Sequence, residues 1–267
     1  MDIRVDGRVA LVTGAAQGIG RAIAETLAAS GAAGLLLTDR NAQASEAAAA
    51  ALTAAGTTAA FVAADLADPD APVRLVAAAL ERFGRLDLLA NAAGATDRAS
   101  FLDATPEDWD RLLAVNARAP FFLMQAAIRA MRAGGEGGAI VNILSINTHC
   151  GAPDLAVYSA SKAALANKTK NAANAHRLDR IRVNGINVGW TLTPTEQALQ
   201  SATLGPGWID AANAASPFGR LFRPQEIANL AVLLLVDEGA GHRAGGVAQE
   251  KDGEVGDLLR PEQPAEG

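Results

Sequence analysis

The chain has 267 residues, enough to bury a full core within one domain. Its 23 Lys and Arg against 29 Asp and Glu leave a net charge of −6 with no basic block, which speaks against a nucleic-acid or anionic-membrane partner. Half of the residues are hydrophobic, alanine prominent among them, and no run approaches bilayer length, so packed helices are expected rather than membrane spans.

Short apolar runs alternate with helical patterns, the signature of βαβ units on a parallel sheet. Residues 9–12 read as a strand, followed by Thr13-Gly14-Ala15-Ala16-Gln17-Gly18-Ile19-Gly20 and a helix to about residue 29. A second strand, 35–38, ends in Asp39 and Arg40, and an alanine-rich helix follows to about residue 55. The third strand, 58–63, runs to Asp65 and Leu66 ahead of a helix over 72–83. A fourth, 86–89, leads into Asn91-Ala92-Ala93-Gly94. One long helix over 106–131 carries Asn116, and glycines 134, 135, 137 and 138 break the chain before a fifth strand over 139–144. The helix holding Tyr158 and Lys162 extends to about residue 178, and 181–186 is the sixth strand.

Beyond Val188 and Gly189 the periodicity lapses, with prolines at 194, 206 and 217 and tryptophans at 190 and 208. A loop of that length in a compact α/β domain reads as a lid or binding element, here residues 190–218. A helix resumes over 224–235, and 251–267 reads as a polar tail of the same single domain. The opening residues lack the apolar core of a signal peptide, and Cys150 is the single cysteine; both point to the reducing cytoplasm. Three histidines and one cysteine offer no ligand spacing, so no metal is expected.

The chemistry gathers at strand ends. Tyr158 and Lys162 are four apart, which puts both on one helix face, and Tyr158 is the only tyrosine. A nearby ammonium is expected to lower the phenol's pKa from about 10 toward the range of a general acid/base. Ser145, just after the fifth strand, can offer its hydroxyl to a substrate oxygen. The glycine-rich turn between the first strand and helix suits a dinucleotide pyrophosphate, with Asp39 placed for the adenosine ribose hydroxyls and Asp65 near the adenine. The adjacent His149 and Cys150 read as an ordinary loop rather than a nucleophile pair, because successive side chains diverge.

Taken together, Thr13-Gly14-x-x-x-Gly18-x-Gly20, Asn91-Ala-Ala-Gly94, Asn116, Ser145 and Tyr158-x-x-x-Lys162 resemble the short-chain dehydrogenase/reductase family. The resemblance covers about residues 7–252. It implies a Rossmann-like doubly wound parallel sheet of about seven strands with helices on both faces, and a homotetramer or homodimer. It also implies NAD(P)-dependent oxidation of an alcohol or reduction of a carbonyl. By position, Tyr158 would be the acid/base, Ser145 would orient the substrate oxygen, and Asn116 would hold a relay water. Lys162 would bind the nicotinamide ribose and lower the tyrosine pKa. The expected cofactor contacts are Gly14, Gln17, Gly18, Ile19, Gly20, Asp39, Arg40, Asp65, Leu66, Asn91, Gly94, Tyr158, Lys162 and Thr193. Asp39 favours NAD over NADP, since a 2′-phosphate would face its carboxylate.

Val188 replaces the family's common proline, Leu144 the first serine of a common pair, Val236 a serine, and Glu254 a glycine; none removes a catalytic group. A small hydroxy compound such as a sugar or polyol is the expected substrate, with 3-oxoacyl or steroid-type substrates as alternatives. A non-catalytic NAD-binding sensor or scaffold on the same fold is the rival from another class.

Overall fold

The computed structural model describes residues 3–236; the Asp252-Gly253-Glu254 ending and the 251–267 tail lie outside them. Six strands form one parallel sheet: β1 (Val9–Thr13), β2 (Gly34–Asp39), β3 (Ala59–Ala63), β4 (Leu88–Asn91), β5 (Gly138–Ile143) and β6 (Ile181–Ile186). Their order is β3-β2-β1-β4-β5-β6, so the chain reverses direction across the sheet between β1 and β4. Leu11 of β1 sits in register with Leu36 on one side and Leu89 on the other. Strands covered on both faces need apolar residues at every position, and β1, Val-Ala-Leu-Val-Thr, is buried throughout.

Alternate side chains of β1 feed two cores. Ala10 and Val12 pack with Ile23 and Leu27 of α1 (Gly18–Ala29), Leu52 of α2 (Ala42–Ala54) and Val232 of α9 (Pro224–Leu235). Leu11 points the other way, into Leu75 of α3 (Ala71–Phe83), Leu123 and Met131 of α5 (Ala119–Gly134), and Leu165 of α6 (Ala156–Ala175). Both faces of the sheet are therefore sealed, and the ligand-accessible edge is the row of strand C-termini.

Three expectations change. The single helix over 106–131 is α4 (Pro106–Leu113), a π-helical turn over Ala114–Arg118, and then α5. Pro120 has no N–H to offer the carbonyl four residues earlier, and the Ala119 N–H reaches back five residues to the Ala114 carbonyl. The 190–218 stretch is not a loop: it holds α7 (Pro194–Leu204) and α8 (Trp208–Ala215). Thr193 caps α7, its hydroxyl accepting from the Glu196 N–H at 3.2 Å, and a small cluster of Trp208, Ala212 and Leu221 gives the segment its own apolar centre. The fourth strand runs two residues later than its apolar run suggested, which carries Asn91 inside the ladder opposite Asn142.

Candidate functional site

The turn after β1 is built around backbone contact. The Thr13 hydroxyl accepts from the Ala92 and Ala93 N–H groups, both at 3.1 Å, tying this turn to the one after β4. Gly14 has φ +67°, and a Cβ there would stand 2.8 Å from the Ala93 backbone. At Gly20 a Cβ would meet the Gly14 carbonyl oxygen at 2.2 Å. Only glycine permits this approach of helix to turn. The N-terminus of α1 carries no side-chain cap from Gln17 and no acid in its first turn, so its N–H groups and positive dipole end are available to an anion. These features fit the pyrophosphate of a dinucleotide.

The turn opens into a cleft of about 880 Å³ along the strand C-termini. Gly14, Gln17, Gly18, Ile19, Gly20, Asp39, Arg40, Asp65, Leu66, Gly94, Ser145, Tyr158, Lys162 and Thr193 all line it. The Asp39 carboxylate is fixed at the end of β2 by the Ala16 N–H at 3.3 Å and the Asn41 N–H at 3.1 Å. Across the cleft the Gln17 side-chain amide donates to the Thr195 hydroxyl at 2.7 Å, joining the glycine turn to the 190–218 segment.

Two expected residues stand behind the wall instead of on it. Asn91 is buried, and its amide donates to Asn142 Oδ1 at 2.8 Å; Asn142 in turn donates to the Thr169 hydroxyl at 2.9 Å. A β4 that ends at Asn91 aims this side chain along the sheet, so it is a strand-to-helix tie and not a cleft contact. Asn116 is fully buried, its Oδ1 accepting from the Ala95 N–H at 2.9 Å. Its amide donates to the Ala95 carbonyl at 2.8 Å and to the Ser161 hydroxyl at 3.0 Å, and that hydroxyl donates to the Tyr158 carbonyl at 2.7 Å. Both amide hydrogens of Asn116 are thus committed to protein partners. The side chain anchors the backbone at Tyr158.

Tyr158 and Lys162 do share one face of α6, with the Lys162 ammonium 5.9 Å from the phenol ring centre. The expected lowering of the phenol pKa does not hold. Burial raises it above 10.0, outweighing the Ser145 hydroxyl that pulls it down, and the Glu196 charge raises it further. Burial also brings Lys162 down to about 8. Taking either charged form out of water moves both groups toward their neutral forms. Lys162 is held by donating to the Ile143 carbonyl at 2.7 Å, and the buried Ser145 hydroxyl accepts from the Asn147 N–H at 3.2 Å.

The far end of the cleft carries residues that the sequence left unassigned. Glu196 Oε1 accepts from Trp190 Nε1 at 2.8 Å and from Gln200 Nε2 at 2.7 Å. The Arg98 guanidinium lies between Asp154, with which it is hydrogen-bonded, and Glu196 at 3.9 Å. Trp190 also packs on Trp208 with ring centres 5.8 Å apart. The one signal available beforehand was Glu196 three residues after the Thr193-Pro194 helix start. His149 and Cys150 diverge as expected: His149 Nε2 lies 3.2 Å from Asn187 Nδ2, while the Cys150 thiol contacts the Ile146 carbonyl at 3.4 Å. His176 Nδ1 lies 2.7 Å from Asp179 Oδ2.

Known proteins resemble this chain in sequence and fold. The short chain dehydrogenase family matches residues 8–203. The sorbitol dehydrogenase of Cereibacter sphaeroides is 36% identical over 247 residues, covering 88% of this chain and 93% of that protein. The gluconate 5-dehydrogenase of Gluconobacter oxydans is 35% identical over 230 residues, 86% of this chain and 88% of that one. Among solved structures, a 3-oxoacyl (acyl-carrier-protein) reductase of Agrobacterium tumefaciens with NADP bound superposes with a TM-score of 0.82, 31% identity and coverage of 90% and 91%. The chain belongs to the short-chain dehydrogenase/reductase family and is an NAD(P)-dependent oxidoreductase acting on CH–OH groups.

Proposed function

We propose that the protein moves hydride between NAD and the carbinol carbon of a small polyol or sugar-type alcohol, with Tyr158 as acid/base. The observation that carries this is the convergence of Ser145, Tyr158 and Lys162 on the cleft that begins at the glycine turn. NAD(P), when bound, supplies the hydride acceptor or donor. The chain's own groups handle the proton. In oxidation the Tyr158 phenolate accepts the substrate O–H proton; in reduction the Tyr158 hydroxyl returns it. Ser145 orients the substrate oxygen, Lys162 binds the nicotinamide ribose, and Asn116 holds the helix that carries Tyr158.

NAD is the preferred cofactor in this reading, because the Asp39 carboxylate, held at the end of β2 by two N–H groups, would repel a 2′-phosphate on the adenosine ribose. Two unit charges about 4 Å apart repel by about 4 kcal/mol at an effective dielectric near 20, and a third of that is about a tenfold preference. Arg40, one residue on, is the group that could offset it. The reductase with NADP bound makes the point worth measuring. The cytoplasm is the compartment, given the single cysteine, and a symmetric homo-oligomer the assembly, given the small-residue faces of α5 and α6. The test is kcat/KM with NAD and with NADP over a panel of polyols, hydroxy acids and 3-oxoacyl substrates, in the parent and in Asp39→Ala. Polyol turnover with NAD and a ratio that collapses in the variant are expected. Cofactor binding without turnover of any substrate would instead favour a sensor.

A further inference from the structure

At the third position of a helix begun by threonine, a glutamate ordinarily reaches back to the N-cap N–H and closes a capping box. The pair Thr105 and Asp108 does this at the start of α4. At α7 the Thr193 N–H is already taken by the Thr191 carbonyl at 2.9 Å, and Glu196 turns its carboxylate into the cleft. Oε1 is fixed there by Trp190 and Gln200, two donors on one atom. Oε2 accepts no hydrogen bond among the described residues. Glu196 and Tyr158 line the same cleft, and the carboxylate's charge adds to the burial that raises the phenol's pKa.

The charges around it are not balanced. Arg98 is shared by two carboxylates, Asp154 and Glu196, and Arg111, the other guanidinium on this wall, pairs with Asp97 at 2.5 Å and lies 3.7 Å from Asp108. Neither Arg98 nor Arg111 is left for a substrate carboxylate. An acceptor-only anion with an uncommitted oxygen recognises hydroxyl hydrogens, and a charged acceptor makes hydrogen bonds roughly twice as strong as a neutral one.

We propose that Glu196 is a specificity-determining residue: Oε2 accepts hydrogen bonds from hydroxyls next to the reacting carbon, and its charge turns carboxylates away, so that the cleft takes neutral polyols in preference to hydroxy acids. This rests on the hydride-transfer reading above and narrows its substrate class.

The test titrates galactitol and sodium gluconate by saturation-transfer NMR against the NADH complexes of the parent and Glu196→Gln, and follows initial rates with NAD. The parent is expected to bind galactitol at least tenfold more tightly than gluconate. In the variant the amide oxygen still accepts from Trp190 and Gln200 while its NH₂ faces the cleft, and the galactitol-over-gluconate ratio falls by about tenfold. The pH profile of galactitol kcat/KM also moves to lower pH, since a charge that raises the Tyr158 pKa is gone; a merely structural glutamate would not shift it. A parent that binds gluconate as tightly as galactitol, a parent that binds neither, or a variant with an unchanged ratio overturns the inference. If galactitol binds and no alcohol reduces NAD, the hydride-transfer reading fails, while the binding ratios still decide the role of Glu196.

Discussion

Burial governs Tyr158 and Lys162, the two side chains on which the proposed chemistry turns. Burial raises the pKa of the Tyr158 phenol, and Lys162 is brought to about 8 with its ammonium donating to the Ile143 carbonyl. Tyr158→Phe removes the oxygen proposed to carry the proton and little else, and no second tyrosine exists to replace it. Turnover should fall by about 10²–10⁴-fold with NAD affinity nearly unchanged, measured by steady-state rates beside fluorescence titration of the cofactor. Retention of near-full activity would remove Tyr158 from the mechanism. Lys162 also leaves a mark on stability. Its folded pKa of about 8 lies below the ordinary 10.5, so between those values the unfolded chain holds the extra proton. Stability therefore rises with pH across that window and is lost as pH falls through about 8, until above about 10 the raised tyrosine opposes it. Denaturant titrations without cofactor at pH 7.5 and 9.5, values chosen to bracket about 8 below the tyrosine range, should show this rise in the parent. It should be smaller in Lys162→Met, where Lys168 remains as a lysine whose pKa burial lowers.

At the scale of elements, β1 through β6 and α1, α2, α3 and α9 were legible because short apolar runs alternate with helical patterns along the chain. The helices α7 and α8 were not. They are short, they begin beside Pro194 and Pro206, and much of their surface faces outward, so their periodicity is weak. The π turn hid within an otherwise continuous helical pattern; Pro120 was its only trace. Of the site, the strand-end residues were readable from position alone. Asn91 was misplaced by a strand boundary, and Glu196 was silent because its direction depends on which backbone group occupies the Thr193 N–H. The α7–α8 segment rests on a satellite cluster and on few ties to the sheet, among them Gln17 to Thr195. Its amides should exchange faster than those of β1 and β5, and slow when NAD and a polyol bind together, as closing lids do. Equal protection with and without ligands would show that the segment does not gate the cleft.

For the whole molecule, the doubly wound sheet places every strand C-terminus on one edge, and the reversal between β1 and β4 opens the cleft there. The outer surface of α4 and α5 exposes Trp109, Phe121 and Phe122, large apolar groups that a second copy could cover. Light scattering at micromolar concentration should report a dimer or tetramer, and a monomer would contradict the assembly. The account as a whole is tested most directly by the path of one hydrogen. A polyol deuterated at its carbinol carbons should pass one deuterium to the cofactor, so that the reduced nicotinamide gains one mass unit over that from the unlabelled polyol. Reduced nicotinamide of unshifted mass, or deuterium released to water, would contradict direct hydride transfer.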